Sequence, residues 1–240
     1  MTMLPLISCI CVTANRRTWL AQSIKYFDWQ VYPNREMVIL EDGDEMNWEL
    51  ALGLNYHYIP GRMSIGEKRN LACRLARGEI LCLWDDDDYH GPRRLSRQVS
   101  PLLEGRMDMT ALHMSLTLDA TQGRLWQCSD EEHQRLFTYD VRASTLMFPA
   151  SYMRSGHVFE HGKGEDVQFL GELLKGGARL EKVRDPGCYI CVRHAENITP
   201  AFECRPPEWA EVALNRYLLE DEQAFYSQFK GAAKHDTSRG

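Results

Sequence analysis

Residues 85–88 are four consecutive aspartates, and they directly follow the apolar run of residues 80–84. Carboxylates this close together repel one another, so a cation or several hydrogen-bond donors must compensate their charge. A hard divalent ion with oxygen ligands fits best, which favours Mg²⁺ or Mn²⁺ over zinc. The alternative is a solvated acidic turn, but such turns do not usually adjoin a buried strand. The run therefore predicts a metal site.

Two further polar residues follow or begin predicted elements. Asp42 comes after the predicted strand 36–40, where its carboxylate could accept hydrogen bonds from a base or ribose, or serve only an Asp-Gly turn. Arg69 lies in the first turns of a predicted helix, where an arginine can bind phosphates through two hydrogen bonds. An exposed helix charge is the alternative for Arg69 and for its neighbour Lys68.

Candidate groups also occur late in the chain. Glu165 and Asp166 lie where a helix is predicted to begin, so they could simply complement the helix dipole. The flanking Gly162 and Gly164 indicate instead a mobile loop that closes over a ligand and delivers a carboxylate at its hinge. His194 follows a predicted strand; it reads as a surface histidine or as the residue that completes a metal site.

The elements that must position these residues alternate in the first half of the chain. Ser64 and Glu67 form a capping box for a helix that should run to about Arg77 and stop at Gly78. Apolar patterning predicts another helix at residues 17–29 and strands at 6–12, 36–40, 56–59 and 80–84. Such alternation is typical of a parallel, Rossmann-like α/β sheet, in which ligands bind beyond the carboxyl ends of the strands.

The second half shows a looser pattern. A hairpin around residues 121–123 is predicted to join strands at 109–118 and 124–128. Further strands are predicted at 144–148, 179–183 and 189–192. A helix at 167–174 precedes the last two of these strands, and an amphipathic helix at 208–229 closes the chain. There is no internal repeat or linker, so one domain is expected.

Composition excludes some classes of function. The net charge of -6 argues against a general binder of nucleic acid or anionic membranes. Neither a basic leader nor a run of about 18 apolar residues is present, which predicts a cytoplasmic protein without a transmembrane segment. The eight cysteines are therefore expected to be free thiols. Cys188 and Cys191 lack a second ligand pair at zinc-finger spacing, which argues against zinc there.

Five motifs, taken in order, resemble the inverting glycosyltransferases of the GT-A fold, family 2. They are residues 10–16, 36–44, 66–72 followed by 76–80, 83–88 (followed by Pro92 and Leu95) and 164–166. The resemblance extends over about residues 6–197. It implies a mixed, mainly parallel sheet flanked by helices, with a small antiparallel hairpin region.

The resemblance also implies a donor, a cofactor and an acceptor. The donor is a nucleotide-diphosphate sugar, a UDP-sugar being the first expectation; the cofactor is Mn²⁺ or Mg²⁺; and the acceptor carries a hydroxyl. The residues it assigns to donor binding are Thr13, Asp42 (nucleobase), Arg69 (pyrophosphate), and Asp85 and Asp86 (ribose). It assigns Asp87 and His194 to the metal. Asp166 becomes the general base that deprotonates the acceptor hydroxyl.

Departures from the family pattern limit these expectations. Val12 and Ala14 stand where the family often has Pro and a base-stacking Tyr, and Glu41 and Asp44 replace Asp and Ser. The nucleobase is therefore the least specified part. The Gln-x-x-Arg-Trp motif of processive synthases is absent, which favours a single transfer.

Two other functions stay open. One is a sugar-phosphate nucleotidyltransferase, although residues 13–16 lack the glycine-rich loop that such enzymes carry. The other is a non-catalytic protein that binds nucleotide sugars. For a transferase, we expect a single domain over residues 1–230, with a donor-binding half (1–100), an acceptor and catalytic half (101–200) and a closing helix (207–230). A disordered tail (231–240) would follow.

Overall fold

The computed structural model describes residues 4–47, 49, 54–113, 115–197 and 209–232. Its helices are α1 (Arg17–Asp28), α2 (Ile65–Leu75), α3 (Arg94–Leu103), α4 (Asp130–Leu136), α5 (Ser151–Arg154), α6 (Glu165–Lys175) and α7 (Glu220–Ser227). Its strands are β1 (Ile7–Thr13), β2 (Arg35–Glu41), β3 (Asn55–Tyr58), β4 (Ile80–Leu83), β5 (Tyr89–His90), β6 (Met109–Leu112), β7 (Leu116–Asp119), β8 (Arg124–Gln127), β9 (Arg142–Pro149), β10 (Leu180–Val183), β11 (Tyr189–Arg193) and β12 (Ala210–Val212).

A mixed sheet of seven strands forms the centre, in the order β10-β6-β9-β4-β1-β2-β3. Strands β1, β2, β3 and β4 are parallel, and β9 runs against both of its neighbours, β4 and β6. A second, mainly antiparallel sheet has the order β12-β8-β7-β11-β5. The predicted α/β fold, a mainly parallel sheet with helices and an antiparallel region, is confirmed.

The first strand shows why the central sheet is buried on both faces. Cys9 and Cys11 join a core cluster with residues of α1 and α3, whereas Ile10 joins another cluster with residues of α2 and α6. Successive side chains of a strand point to opposite faces, so a strand covered on both sides needs a continuous apolar run. The capping box of Ser64 and Glu67 is present at the start of α2, as predicted.

The single strand predicted at residues 109–118 is wrong. The chain forms β6, which joins the central sheet beside β9 and β10, and then β7, which joins the second sheet beside β8 and β11. Both strands are almost completely buried. Residues 109–118 contain no Gly or Pro to mark a break, so periodicity alone could not show that the chain changes sheets.

The closing helix predicted at residues 208–229 is much shorter in the structure. Only Glu220–Ser227 is α-helical, and Ala210–Val212 pairs with β8 as an edge strand. Two hydrogen bonds of 2.7 and 3.1 Å between Arg124 and Glu211 accompany this pairing. Tertiary pairing therefore overrides the helical spacing of the segment. Residues 207 and 208 and most of the predicted tail, 233–240, lie outside the described residues.

Gly78 does not end the second helix as predicted. The helix stops at Leu75, and Ala76 is already extended (ψ 141°). Gly78 is needed for close packing instead: a Cβ there would lie 2.5 Å from Ser8 Oγ. Helices α3, α4 and α5 were not predicted. None of the helices in the described ranges has the length and apolar character needed to cross a bilayer.

Candidate active site

A cavity of about 830 Å³ opens where β1 and β4 end. These strands are parallel neighbours, so the turn after β1 and the aspartates after β4 meet at the same edge of the sheet. The rest of the wall comes from the start of α2 and from residues 136–139, 141–144, 163–167 and 191–193. The volume is in the range of small-molecule sites, and the wall holds most of the polar residues singled out in the sequence.

The last of the four aspartates is a structural anchor. Asp88 is buried and accepts hydrogen bonds from the Tyr189 hydroxyl and, at 2.7 Å, from the Val192 N–H. Burial, followed by the charges of Asp87 and Asp85, raises the pKa of Asp88 to about 7. Its bonds tie the aspartate run to β11 and so bring that strand to the cavity.

Asp86 is held from the turn after β1. Its carboxylate accepts a hydrogen bond from the Thr13 hydroxyl (2.5 Å) and one from Arg16 Nη1 (3.0 Å). Burial raises the pKa of Asp86 to about 6; the charge of Asp87 adds to this effect and Arg16 opposes it. Thr13 therefore orients an aspartate, and its contact with a donor stays a prediction.

Asp87 has three partners on a single oxygen. Its Oδ2 lies 2.8 Å from Arg16 Nη1, 3.1 Å from His194 Nε2 and 3.2 Å from Asn197 Nδ2. Burial alone would raise the pKa of Asp87, but the hydrogen bond from His194 and the charge of Arg16 outweigh it and hold that pKa below its usual value. Asp87 is therefore an ionised carboxylate at the cavity wall.

The pair Asp87 and His194 fits a divalent ion by distance. Ligands of an octahedral ion with bonds of about 2.1 Å lie about 3.0 Å apart, close to the 3.1 Å between Asp87 Oδ2 and His194 Nε2. The imidazole is fixed because it stacks on Trp19, with ring centroids 4.0 Å apart. The Glu196 N–H donates to His194 Nδ1 at 3.2 Å, which places the ring proton on Nε2. Binding a metal through Nε2 therefore requires the other neutral tautomer, with the proton on Nδ1.

Asp42 is buried and does not line the cavity. Its two oxygens accept hydrogen bonds of 2.8 Å from Lys68 Nζ and from the Met63 N–H. Lys68 also donates to the Thr13 carbonyl at 3.2 Å and does line the cavity. Asp42 thus holds the amino end of α2 and a buried cation in place. Its predicted contact with a nucleobase stays a prediction.

Arg69 links three parts of the site. Its guanidinium contacts Glu165 Oε1 at 2.5 Å and Asp85 Oδ1 at 3.1 Å, and the side chain is buried. Two carboxylates already balance its charge, so the ion pairs show a positioning function. The predicted contacts of Arg69 with pyrophosphate and of Asp85 with ribose are not tested by this geometry.

Asp166 is the more accessible acid of the pair that begins α6. Its side chain is 18% exposed, compared with 7% for Glu165, and its Oδ2 lies 4.0 Å from Arg69 Nη1. Its Oδ1 accepts the Val167 N–H at 2.8 Å. Burial raises the pKa of Glu165, against the effect of Arg69. The structure places Asp166 on the same cavity wall as Asp87, although 79 residues separate them in the chain.

Sequence reasoning missed three residues of the site. Arg16, which bridges Asp86 and Asp87, could have been found, because it lies in the turn after a strand that neighbours β4. Asn197 gave no signal. Arg142 lines the cavity from the start of β9 and donates to Ser144 Oγ at 3.1 Å. Arg142 was not recognised because a single charged residue at the start of an apolar strand usually means only that the strand begins at the protein surface.

The chain was compared with known families and proteins. Residues 8–153, more than half of the chain, match the model of glycosyl transferase family 2. An uncharacterized glycosyltransferase of Haemophilus influenzae is 25% identical over 115 residues, which is 45% of this chain and 46% of that protein. The chain therefore spans about half of the length of this curated relative.

Solved structures share the fold at low identity. The structure of S. aureus TarS residues 1–349 in complex with UDP has a TM-score of 0.61 at 17% identity, over 79% of this chain and 61% of that one. The mannosyltransferase PcManGT from Pyrobaculum calidifontis, in complex with GDP-Man and Mn²⁺, has a TM-score of 0.60 at 16% identity, over 82% and 59% of the two chains. TarS 1–349 was also solved with UDP-GlcNAc and is 16% identical over 82% of this chain.

Proposed function

Because the chain belongs to glycosyl transferase family 2, we propose that this glycosyltransferase moves one sugar, with inversion and with a divalent metal, from a nucleotide-diphosphate sugar to a hydroxyl acceptor. One observation carries the proposal. The ionised Asp87, paired with His194, lines the same cavity as Asp166 at the start of α6. This supports Asp87 on the leaving-group side and Asp166 as the proton acceptor.

The cations of the wall support a diphosphate donor. Arg16 and Lys68 line the cavity beside the aspartates, and Arg142 lines it from β9. Arginine and lysine are suited to phosphate oxygens through charge-assisted hydrogen bonds. Similar structures contain UDP, UDP-GlcNAc or GDP-Man, so both uracil and guanine nucleotides occur among them. We take a UDP-sugar as the first donor to test.

Asp87 and His194 would hold the metal, Mn²⁺ or Mg²⁺. Only two protein ligands are present at this place among the described residues, which suits an ion completed by diphosphate oxygens and water. When bound, the metal offsets the charge that develops on the departing nucleoside diphosphate. Arg16 forms ion pairs with both Asp86 and Asp87, so its positive charge reduces the repulsion between the two carboxylates and favours the ionised form of Asp87 that a metal requires.

Asp166 would accept the proton of the acceptor hydroxyl as that oxygen attacks the anomeric carbon. Its position at the amino end of α6 stabilises the carboxylate through the helix dipole, and its partial exposure lets an acceptor approach. Glu165 is a poorer candidate because its carboxylate is buried in the ion pair with Arg69. We include a cytoplasmic location in the proposal, because the cysteines of the described ranges are all free thiols.

The test separates binding from chemistry. Asp166→Asn keeps the shape of the side chain but cannot accept a proton, so donor affinity should stay within about twofold while turnover falls roughly 10²–10⁴-fold. Asp87→Ala should instead weaken donor binding and abolish its dependence on Mn²⁺. Glu172→Gln, an exposed residue on the same helix, is the matched control and should change neither quantity.

Donor calorimetry and an assay of nucleotide release on these variants decide between the functions. Normal turnover in Asp166→Asn contradicts the assignment of the base. Donor binding without any turnover, for the wild type and with a panel of hydroxyl acceptors, indicates a binding protein. Pyrophosphate exchange in place of sugar transfer indicates a nucleotidyltransferase.

A further inference from the structure

A second group of side chains that could hold a metal lies next to the cavity-wall segment of residues 136–139. His113 follows β6, His133 lies on α4, and Asp140 precedes β9. All three are buried, and one ligand atom from each lies within 4.8 Å of the others. The sequence had given no sign of this cluster, because the three residues are neither close in the chain nor part of a spaced motif.

One atom of the cluster has no hydrogen bond. His113 Nε2 is buried and unpartnered among the described residues, and it lies 3.5 Å from Asp130 Oδ1 and 3.7 Å from Asp140 Oδ1. His133 Nδ1 lies 2.7 Å from the same Asp140 oxygen. An unpaired buried nitrogen destabilises the fold unless something binds it. The nitrogen points toward two carboxylate oxygens, which is the surrounding that a cation requires.

In both Asp130 and Asp140, one carboxylate oxygen contacts basic side chains and the other contacts a histidine. Oδ2 of Asp140 faces Lys182 (3.2 Å) and Arg184 (3.3 Å), and Oδ2 of Asp130 faces Arg184 (2.5 Å). The Oδ1 atoms of both aspartates face the histidines instead. In metal sites, outer hydrogen bonds of this kind orient a carboxylate while its other oxygen binds the ion.

We propose that His113, His133 and Asp140 bind one zinc ion, with Asp130 as the fourth ligand. Two imidazoles and two carboxylates match the tetrahedral sites of Zn²⁺, in which neighbouring ligand atoms lie about 3.3 Å apart. The separations of 3.5 and 3.7 Å from His113 are close to that value. The short contact of His133 with Asp140 must lengthen, and the stacked rings of His113 and His133, with centroids 3.7 Å apart, must turn so that both nitrogens face the ion.

The ion would act on the shape of the cavity. It would join the end of β6, helix α4 and the entry to β9, and the segment between His133 and Asp140 contains cavity-wall residues 136–139. Asp140 itself has a positive φ of 55°, which an aspartate tolerates at some cost. A zinc ion would fix this bend and the wall that follows from it. The site is separate from the metal proposed at Asp87.

Metal content is the direct test. The full chain, purified without a histidine tag from zinc-supplemented medium and dialysed, should contain one zinc per chain by mass spectrometry. His113→Ala and His133→Ala should each bind zinc roughly 100-fold more weakly or not at all. His57→Ala, a half-buried histidine on β3, should keep the zinc, and so should Asp87→Asn, which removes the other proposed metal ligand.

A second measurement needs no variant, in case these do not fold. Removing zinc from the wild type with a chelator should lower its melting temperature and speed hydrogen exchange in residues 129–140. Zn²⁺, but not Mg²⁺, should restore both. A wild type with no more zinc than a metal-free control protein overturns the proposal. So does zinc that persists in both histidine variants, or a melting temperature that the chelator leaves unchanged.

Discussion

Arg16 offers the sharpest test of how the aspartate run is stabilised. Its guanidinium donates to Asp86 at 3.0 Å, to Asp87 at 2.8 Å and to the Glu196 carbonyl at 2.6 Å, and its side chain is only 13% exposed. Hydrogen bonds that involve a charged group contribute about 1.5–3 kcal/mol each. Removing one partner of a buried ion pair costs about 3–5 kcal/mol, because the remaining charge is left uncompensated.

We therefore expect Arg16→Ala to lower the free energy of unfolding by about 3 kcal/mol in the presence of a chelator. For a chain of this size, that loss corresponds to a fall in melting temperature of roughly 6–12 °C. Mn²⁺ should raise the melting temperature of the variant more than that of the wild type, because a cation then replaces the missing positive charge beside Asp87.

The neighbouring Arg17 provides a matched control. Its ion pair with Glu45, at 3.7 Å, lies between side chains that are 58% and 83% exposed, so solvent screens it. Arg17→Ala should change the stability by less than about 1 kcal/mol and should not respond to Mn²⁺. Thermal melts of the three proteins, with chelator and with Mn²⁺, provide the comparison. Equal losses in the two variants, or an equal gain from Mn²⁺ in all three proteins, would refute the reasoning.

Three other expectations follow from single features of the structure. The pKa of Asp86, about 6, is higher than that of an aspartate in an unfolded chain, so the ionisation of Asp86 destabilises the fold as the pH rises through that value. In the presence of a chelator, Asp86→Asn should therefore raise the melting temperature at pH 8 but not at pH 4. Hydrogen exchange in the exposed residues 160–163, which include the positive-φ Gly162, should slow when donor and metal are added. Equal exchange rates with and without donor and metal would contradict a closing loop. Gly78→Ala should cost about 1–3 kcal/mol in urea unfolding, because its Cβ would meet Ser8 Oγ at 2.5 Å; an unchanged midpoint would show that the packing yields.

The sequence was informative where a local rule decides the structure. Apolar runs predicted β1, β2 and β4, and the capping box predicted the start of α2. Since parallel strands end at one edge of a sheet, these elements were enough to bring Thr13 and the aspartate run together. Long-range partners were not predictable in this way. Neither the change of sheet between β6 and β7 nor the pairing of Ala210–Val212 with β8 leaves a periodic signal.

The same limit explains what was missed in the site. Asp85 to Asp88 form a uniform run in the sequence, yet the fold gives each a different partner: Arg69, Thr13, His194 and Tyr189. These partners come from distant parts of the chain, so the sequence alone could not assign them. For Asp42, the position after a strand predicted a contact with a ligand. In the structure, both of its carboxylate oxygens accept hydrogen bonds from within the protein instead.

Three cations organise the acidic edge before any ligand is considered. Lys68 pairs with Asp42, Arg69 with Asp85 and Glu165, and Arg16 with Asp86 and Asp87, so each bridges two elements. Because these pairs are largely buried, solvent reorganises little around them, and the carboxylates keep fixed positions. Of these three cations, only Arg16 pairs with a carboxylate oxygen that also contacts a histidine. This oxygen, Asp87 Oδ2, lies 3.1 Å from His194 Nε2, as expected for two ligand atoms of one metal ion. In the proposed metal site, the free energy of binding at Asp87 would therefore depend on how far Arg16 must move, which is why Arg16→Ala should respond to Mn²⁺ more strongly than the wild type.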